Sequence, residues 1–117
     1  MAHTATFRHA PAKSTDRVQR VQAVFGLTQG ELAQILELSP KTLARRALNA
    51  NETDRLQILE HLASLATNLV PKAHIPRWFS EPKTYLEGSP PKSLLSTESG
   101  RRTLESYLLS LIDSNVL

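Results

Sequence analysis

Two helix-start signals, Thr28-Gln-Gly-Glu31 and Ser39-Pro40, stand so close together that only one short helix fits between them. In the first, the Thr28 hydroxyl can accept from the Glu31 amide while the Glu31 carboxylate accepts from the Thr28 amide, a reciprocal capping box. In the second, Ser39 caps a helix and Pro40 takes its first position, where a missing N–H costs nothing. These signals predict two helices of about eight residues joined by a tight turn.

Helix signals continue on both sides. Ser14 or Thr15 can cap a helix carrying Val18, Val21, Val24 and Phe25, with Gly26 as its stop. Asn51 or Thr53 opens a longer helix that runs to about Val70 and is closed by Pro71. Its apolar residues, among them Leu56, Ile58, Leu59, Leu62, Leu65 and Leu69, cover about half of the circumference. A stripe so wide predicts two packing partners, one of them a second copy of the chain. Five of the seven prolines fall between Pro71 and Pro91, which predicts short helices and turns anchored by Trp78 and Phe79. A last helix, capped near Ser96 or Thr97, carries Leu104, Tyr107, Leu108, Leu111 and Ile112 at helical spacing and ends at Asp113.

No stretch alternates convincingly as a strand and no internal repeat is present, so the fold class expected is all-α. The boundaries expected are a flexible arm over 1–13, a helix-turn-helix domain over 14–52, a connecting and dimerisation helix over 53–70, and a small helical domain over 71–117.

A chain of 117 residues has a small core and gains from dimerisation. With no cysteine there is no disulfide scaffold, thiol nucleophile or cysteine zinc site. His3, His9, His61 and His74 are scattered without metal-like or triad-like spacing, so no metal, cofactor or catalytic activity is expected. No apolar run is long enough to span a bilayer, and the first residues lack the apolar core of a signal peptide. The expected location is the cytoplasm.

Charge is unevenly placed. Residues 1–50 hold seven Lys and Arg against three acids, and residues 51–117 hold seven against eight. The first half is therefore the one suited to a polyanion. On the helix that starts at Pro40, Lys41, Thr42, Arg45 and Arg46 fall within about 140° of one another, while Leu43, Ala44, Ala47 and Leu48 take the other face. A helix-turn-helix sets its second helix in the major groove of DNA. Lys41, Thr42, Arg45 and Arg46, with the cap Ser39, are accordingly the candidate DNA contacts, joined by Gln29 as a phosphate contact at the start of the preceding helix. Solvated surface helices also carry cations opposite an apolar stripe. Glu37 stands where such turns often have glycine, and Arg46 where many have an apolar residue.

From Pro76 to Leu117 the chain presents, in order, Trp78-Phe79, Pro82, Leu86 with Gly88, Pro90-Pro91, Leu94-Leu95, Thr97, Gly100, and a final helix closing on Leu111-Ile112 before a short tail. This set, preceded by a helix-turn-helix, resembles the toxin-binding domain of the Xre/MbcA/ParS family of bacterial antitoxins. The resemblance implies a type II toxin-antitoxin role. It implies a RES-domain, NAD-consuming toxin as partner, with the entrance to its active site covered, and binding to the operator of the chain's own operon as a dimer within a larger complex. Residue by residue it implies Trp78, Leu86, Gly88 and Gly100 as domain-framing positions, and Asp113, Ser114, Asn115, Val116 and Leu117 as toxin contacts. Asn115 stands where the family often has glycine. The competing reading is a stand-alone dimeric helix-turn-helix repressor without a toxin partner. The apolar face of the basic helix is committed to the core, which argues against a membrane surface.

Overall fold

A computed structural model describes residues 16–115, and the expected arm over 1–13, the caps Ser14 and Thr15, and Val116 and Leu117 lie outside the described residues. All regular structure among the described residues is helical. The elements are α1 over residues 16–25, α2 (Gln29–Ile35), α3 (Pro40–Arg45), α4 (Ala50–Thr67), α5 (Ile75–Ser80) and α6 (Glu98–Asn115), with 3-10 turns at Lys72–His74, Thr84–Leu86 and Pro91–Ser96.

α1 buries Val21 and Phe25, as its spacing predicts. It ends at Gly26, whose φ is +71°. The Leu27 amide donates back to the Gln22 carbonyl at 2.9 Å, the Schellman closure that a residue of positive φ allows. Gly26 has a second reason to lack a side chain, because a Cβ there would stand 2.8 Å from Pro76 Cβ.

α2 starts on the expected capping box, with Glu31 N donating to Thr28 Oγ1 at 3.0 Å and Thr28 N to Glu31 Oε1 at 2.9 Å. It buries Leu32, Ala33 and Ile35. The turn that follows repeats the closure of α1, with Leu38 N donating to Ala33 O at 2.8 Å and Glu37 N to Gln34 O at 3.0 Å. Glu37, at φ +62°, does without glycine what a glycine usually does there. Arg55 from α4 braces this turn, donating to the Leu36 carbonyl at 3.3 Å and reaching the Glu37 carboxylate at 3.9 Å.

α3 and α4 depart from expectation where they meet. α3 stops at Arg45, because Arg46 is extended at φ −136°, ψ 162°. α4 begins at Ala50, capped by Asn49 rather than Asn51 or Thr53, and ends at Thr67 rather than near Val70. The cause is a second capping box: Glu52 N donates to Asn49 Oδ1 and Asn49 N to Glu52 Oε1, both at 2.9 Å. Starting a helix at Asn49 forbids the previous one from continuing to it. Ala47 is consequently exposed and not a packing residue, while Leu43 is buried. On α4 the fully buried positions are Leu56, Leu59, Leu62 and Ala66, a narrower stripe than half the circumference, and Ile58 is 44% exposed.

After α4 the prolines cut the chain into short pieces. α5 carries Pro76 in its first turn and buries Ile75 and Phe79. α6 starts where the Thr97 hydroxyl accepts from the Gly100 amide at 3.0 Å, and it runs two residues past the expected Asp113. Gly100 is pressed against the turn before it: a Cβ would lie 2.5 Å from the Leu94 carbonyl oxygen. One apolar core runs from Val21 and Phe25 through Leu32, Leu36 and the buried face of α4 to Phe79, Leu95, Leu104 and Leu108. Both halves of the chain fold around that core.

Candidate nucleic-acid interface

The helix-turn-helix presents its residues in two ways. Ser39, Lys41 and Arg45 are exposed on α3, Thr42 is half-buried, and Gln29 is exposed as the first residue of α2. Ser39 and Thr42 are partly committed to the cap: Thr42 N donates to Ser39 Oγ at 3.1 Å, and the two hydroxyls are 2.9 Å apart. Lys41 and Arg45 have no acidic partner among the described residues, whereas nearby Arg17, Arg46 and Arg55 each have one. An unpaired guanidinium or ammonium on an exposed helix face keeps its donors for phosphate or base edges.

Arg46 is placed differently from the other candidates. It lies beyond the last turn of α3, and its guanidinium donates from Nη1 and Nη2 to the two Glu52 carboxylate oxygens, each at 3.0 Å, and to the Ala47 carbonyl at 2.9 Å. A fork-on-fork pair of this kind fixes geometry as well as charge. The arginine is thus a clamp between the end of α3 and the start of α4.

The Glu52 carboxyl is held below the usual carboxylate range, chiefly by the hydrogen bond from Arg46 and then by the Asn49 amide. Glu31 is lowered by the Thr28 amide and then by Lys92, whose Nζ is 3.2 Å away. Glu60 is lowered by Arg17, which donates to it twice, at 2.8 and 2.9 Å. Carboxyls whose pKa falls on folding bind fewer protons in the folded state. Their contribution is complete above the ordinary carboxylate range and is lost as pH falls through that range and the lowered values beneath it. Glu52→Ala removes one arm of the capping box and frees Arg46, and is expected to cost about 1–2 kcal/mol in urea unfolding at neutral pH. Glu52→Gln, which can still cap, is expected to cost less and to flatten the loss of stability in acid.

The second cap was visible in the sequence, since Asn49 is followed three residues later by Glu52. A helical wheel that runs from Lys41 to Leu48 overlaps this cap, and so puts Arg46 on a helix face instead of against Glu52.

The C-terminal candidates separate in the same manner. Trp78 is half-buried, with its ring stacked on Tyr107 at 6.2 Å and set edge-on to Phe79 at 5.2 Å, and Lys83 Nζ lies 4.4 Å above it. Leu86 is buried, and Gly88 turns the chain at φ +82°. Asp113 and Ser114 are exposed on the last turn of α6, where Ser114 Oγ donates to the Ser110 carbonyl at 3.0 Å. Asn115 closes that helix. The DNA-binding candidates and these α6 candidates thus lie on separate elements, in different halves of the sequence. Among the described residues no helix is long and apolar enough to cross a membrane, and no group of three acids or histidines could hold a metal ion.

Comparison with known proteins adds two findings. A family model described as the antitoxin Xre-like helix-turn-helix domain matches residues 1–59, which takes in α1, α2, α3 and the first half of α4. Comparison with curated proteins finds no match. Among solved structures, a chain in the crystal structure of the M. tuberculosis MbcT-MbcA toxin-antitoxin complex has the same fold, with a TM-score of 0.63 over 84% of this chain and 92% of that one at 22% identity.

Proposed function

The chain belongs to the antitoxin Xre-like helix-turn-helix family, and from that premise we propose that it neutralises a RES-domain, NAD-consuming toxin by direct contact and represses its own operon. The observation that carries the reading is a single compact chain in which an antitoxin-type helix-turn-helix is continuous with a second helical unit ending in the exposed turn of α6. The first unit offers Lys41 and Arg45, which have no acidic partner among the described residues, to operator DNA, with Gln29 and Thr42 beside them. Ser39 contributes by capping α3, and Arg46 by holding its far end.

The toxin contacts are assigned to Asp113, Ser114, Asn115, Val116 and Leu117, covering the entrance to the NAD site of the toxin. Trp78, Leu86, Gly88 and Gly100 shape the unit that delivers them. The functional assembly is a homodimer within a larger complex. In domain terms, residues 14–52 read DNA, 53–70 connect and dimerise, and 71–117 hold the toxin.

Deleting Asn115 to Leu117 tests the toxin half. Co-expressed with the RES-domain toxin proposed as its partner, the shortened chain is expected to lose protection of growth while binding operator DNA as before. Full protection by the shortened chain would remove the tail from the interface.

A further inference from the structure

A cleft beside the DNA-reading helix shares Gln29, Arg45 and Arg46 with the face described above and adds the α1 residues Gln19 and Gln22, which none of those contacts uses. α1, the start of α2 and the end of α3 enclose an open space of about 810 Å³, lined in part by buried Leu27 and Leu43. It owes its depth to small residues, since Ala23, Gly26, Ala44 and Ala47 leave room that longer side chains would fill. Its polar lining consists of Gln19, Gln22, Gln29, Arg45 and Arg46, and among the described residues no lining residue is acidic. Glu52 already pairs with Arg46, and Arg45 has no acidic partner among the described residues. Carboxamide NH2 groups and a guanidinium around a concave surface free of carboxylates form a donor-rich seat for an anion.

The cleft is bounded by the same α2 start and α3 end that frame the helix-turn-helix face. α3 has six residues, a rod of about 9 Å. A helix that short cannot enter a major groove without bringing the flanking DNA backbone against the elements around it. We infer that the cleft receives the sugar-phosphate backbone beside the groove entered by α3, so that Gln19 and Gln22 of α1 are DNA contacts in addition to those of the helix-turn-helix face. This rests on the operator reading proposed above. Contacts to backbone fix register and carry no sequence information, so changes here act equally on any duplex.

The test is fluorescence anisotropy with two duplexes of equal length, one from the promoter of the chain's own operon and one unrelated, each titrated at several salt concentrations. Gln19→Glu and Gln22→Glu are expected to weaken binding to both duplexes by about tenfold, and Gln19→Lys to tighten both and steepen the salt dependence by about one released counterion. Thermal midpoints check that the variants fold, and Gln19→Lys decides the matter if a glutamate variant does not. Binding within twofold of the parent for the variants that fold, with an unchanged salt slope, overturns the inference. So does a shift in oligomeric state without a change in DNA binding, which would mark the cleft as a seat for a second copy. If Lys41→Ala with Arg45→Ala weakens binding and the cleft variants do not, the cleft alone fails; if that pair also leaves binding unchanged, the operator reading itself fails.

Discussion

Replacing Lys41 and Arg45 together by alanine is expected to weaken binding to operator DNA by roughly 10²–10³-fold and to lower the slope of log affinity against log salt by about one to two. Both side chains are exposed on α3 and neither has an acidic partner among the described residues, so each is free to meet a phosphate or a guanine edge. Their removal leaves the core intact, because Leu43 is the buried residue of that helix. Stability and toxin neutralisation are therefore expected to stay at the level of the unaltered chain. A gel-shift or anisotropy series over salt, run beside a urea melt, separates the two properties. Loss of DNA binding without loss of fold assigns α3 to recognition.

Phe79→Ala is expected to act on everything at once. The ring is fully buried, packed edge-on against Phe25 of α1 with centroids 4.7 Å apart and against Trp78 at 5.2 Å. It is the point where the helix-turn-helix and the C-terminal unit share an aromatic contact. Truncating a buried phenylalanine costs about 3–5 kcal/mol, a large part of the 5–15 kcal/mol that holds a domain folded. Thermal or urea unfolding should show one cooperative transition shifted strongly downward, with DNA binding and neutralisation falling together. Two separate transitions, with DNA binding kept, would show that the halves do not depend on a common core.

Much of this architecture is legible from local chemistry. Thr28 with Glu31, and Ser39 with Pro40, state where helices begin, because a cap acts on amides within one turn of itself. Gly26 marks the end of α1 for an equally local reason. Glu37 is the informative exception. Its side chain departs from the usual glycine, yet the turn keeps the same left-handed closure, braced by Arg55 from a helix that begins thirteen residues later in the sequence. Nothing within one turn of Glu37 announces that brace.

What the sequence hides is pairing between distant residues and competition between overlapping signals. Arg17 with Glu60 and Glu31 with Lys92 join elements far apart in the chain. The periodicity of Leu43, Ala44, Ala47 and Leu48 points to a helix running to Leu48, but Asn49 and Glu52 start the next helix and Arg46 leaves the wheel to pair with Glu52. A simple apolar wheel cannot register such a contest, because it scores one helix at a time. The same limit applies to Ile58, which the stripe on α4 counted as buried and which stands 44% exposed.

The central proposal is that this member of the antitoxin Xre-like family restrains a RES-domain toxin through its C-terminal unit. The most direct measurement is to mix the purified full-length chain with a purified RES-domain toxin proposed as its partner, follow them by size-exclusion chromatography, and assay NAD consumption in the eluted fractions. The account predicts co-elution as one complex with NAD consumption suppressed. Separate elution with NAD consumed at the rate of the free toxin would contradict it.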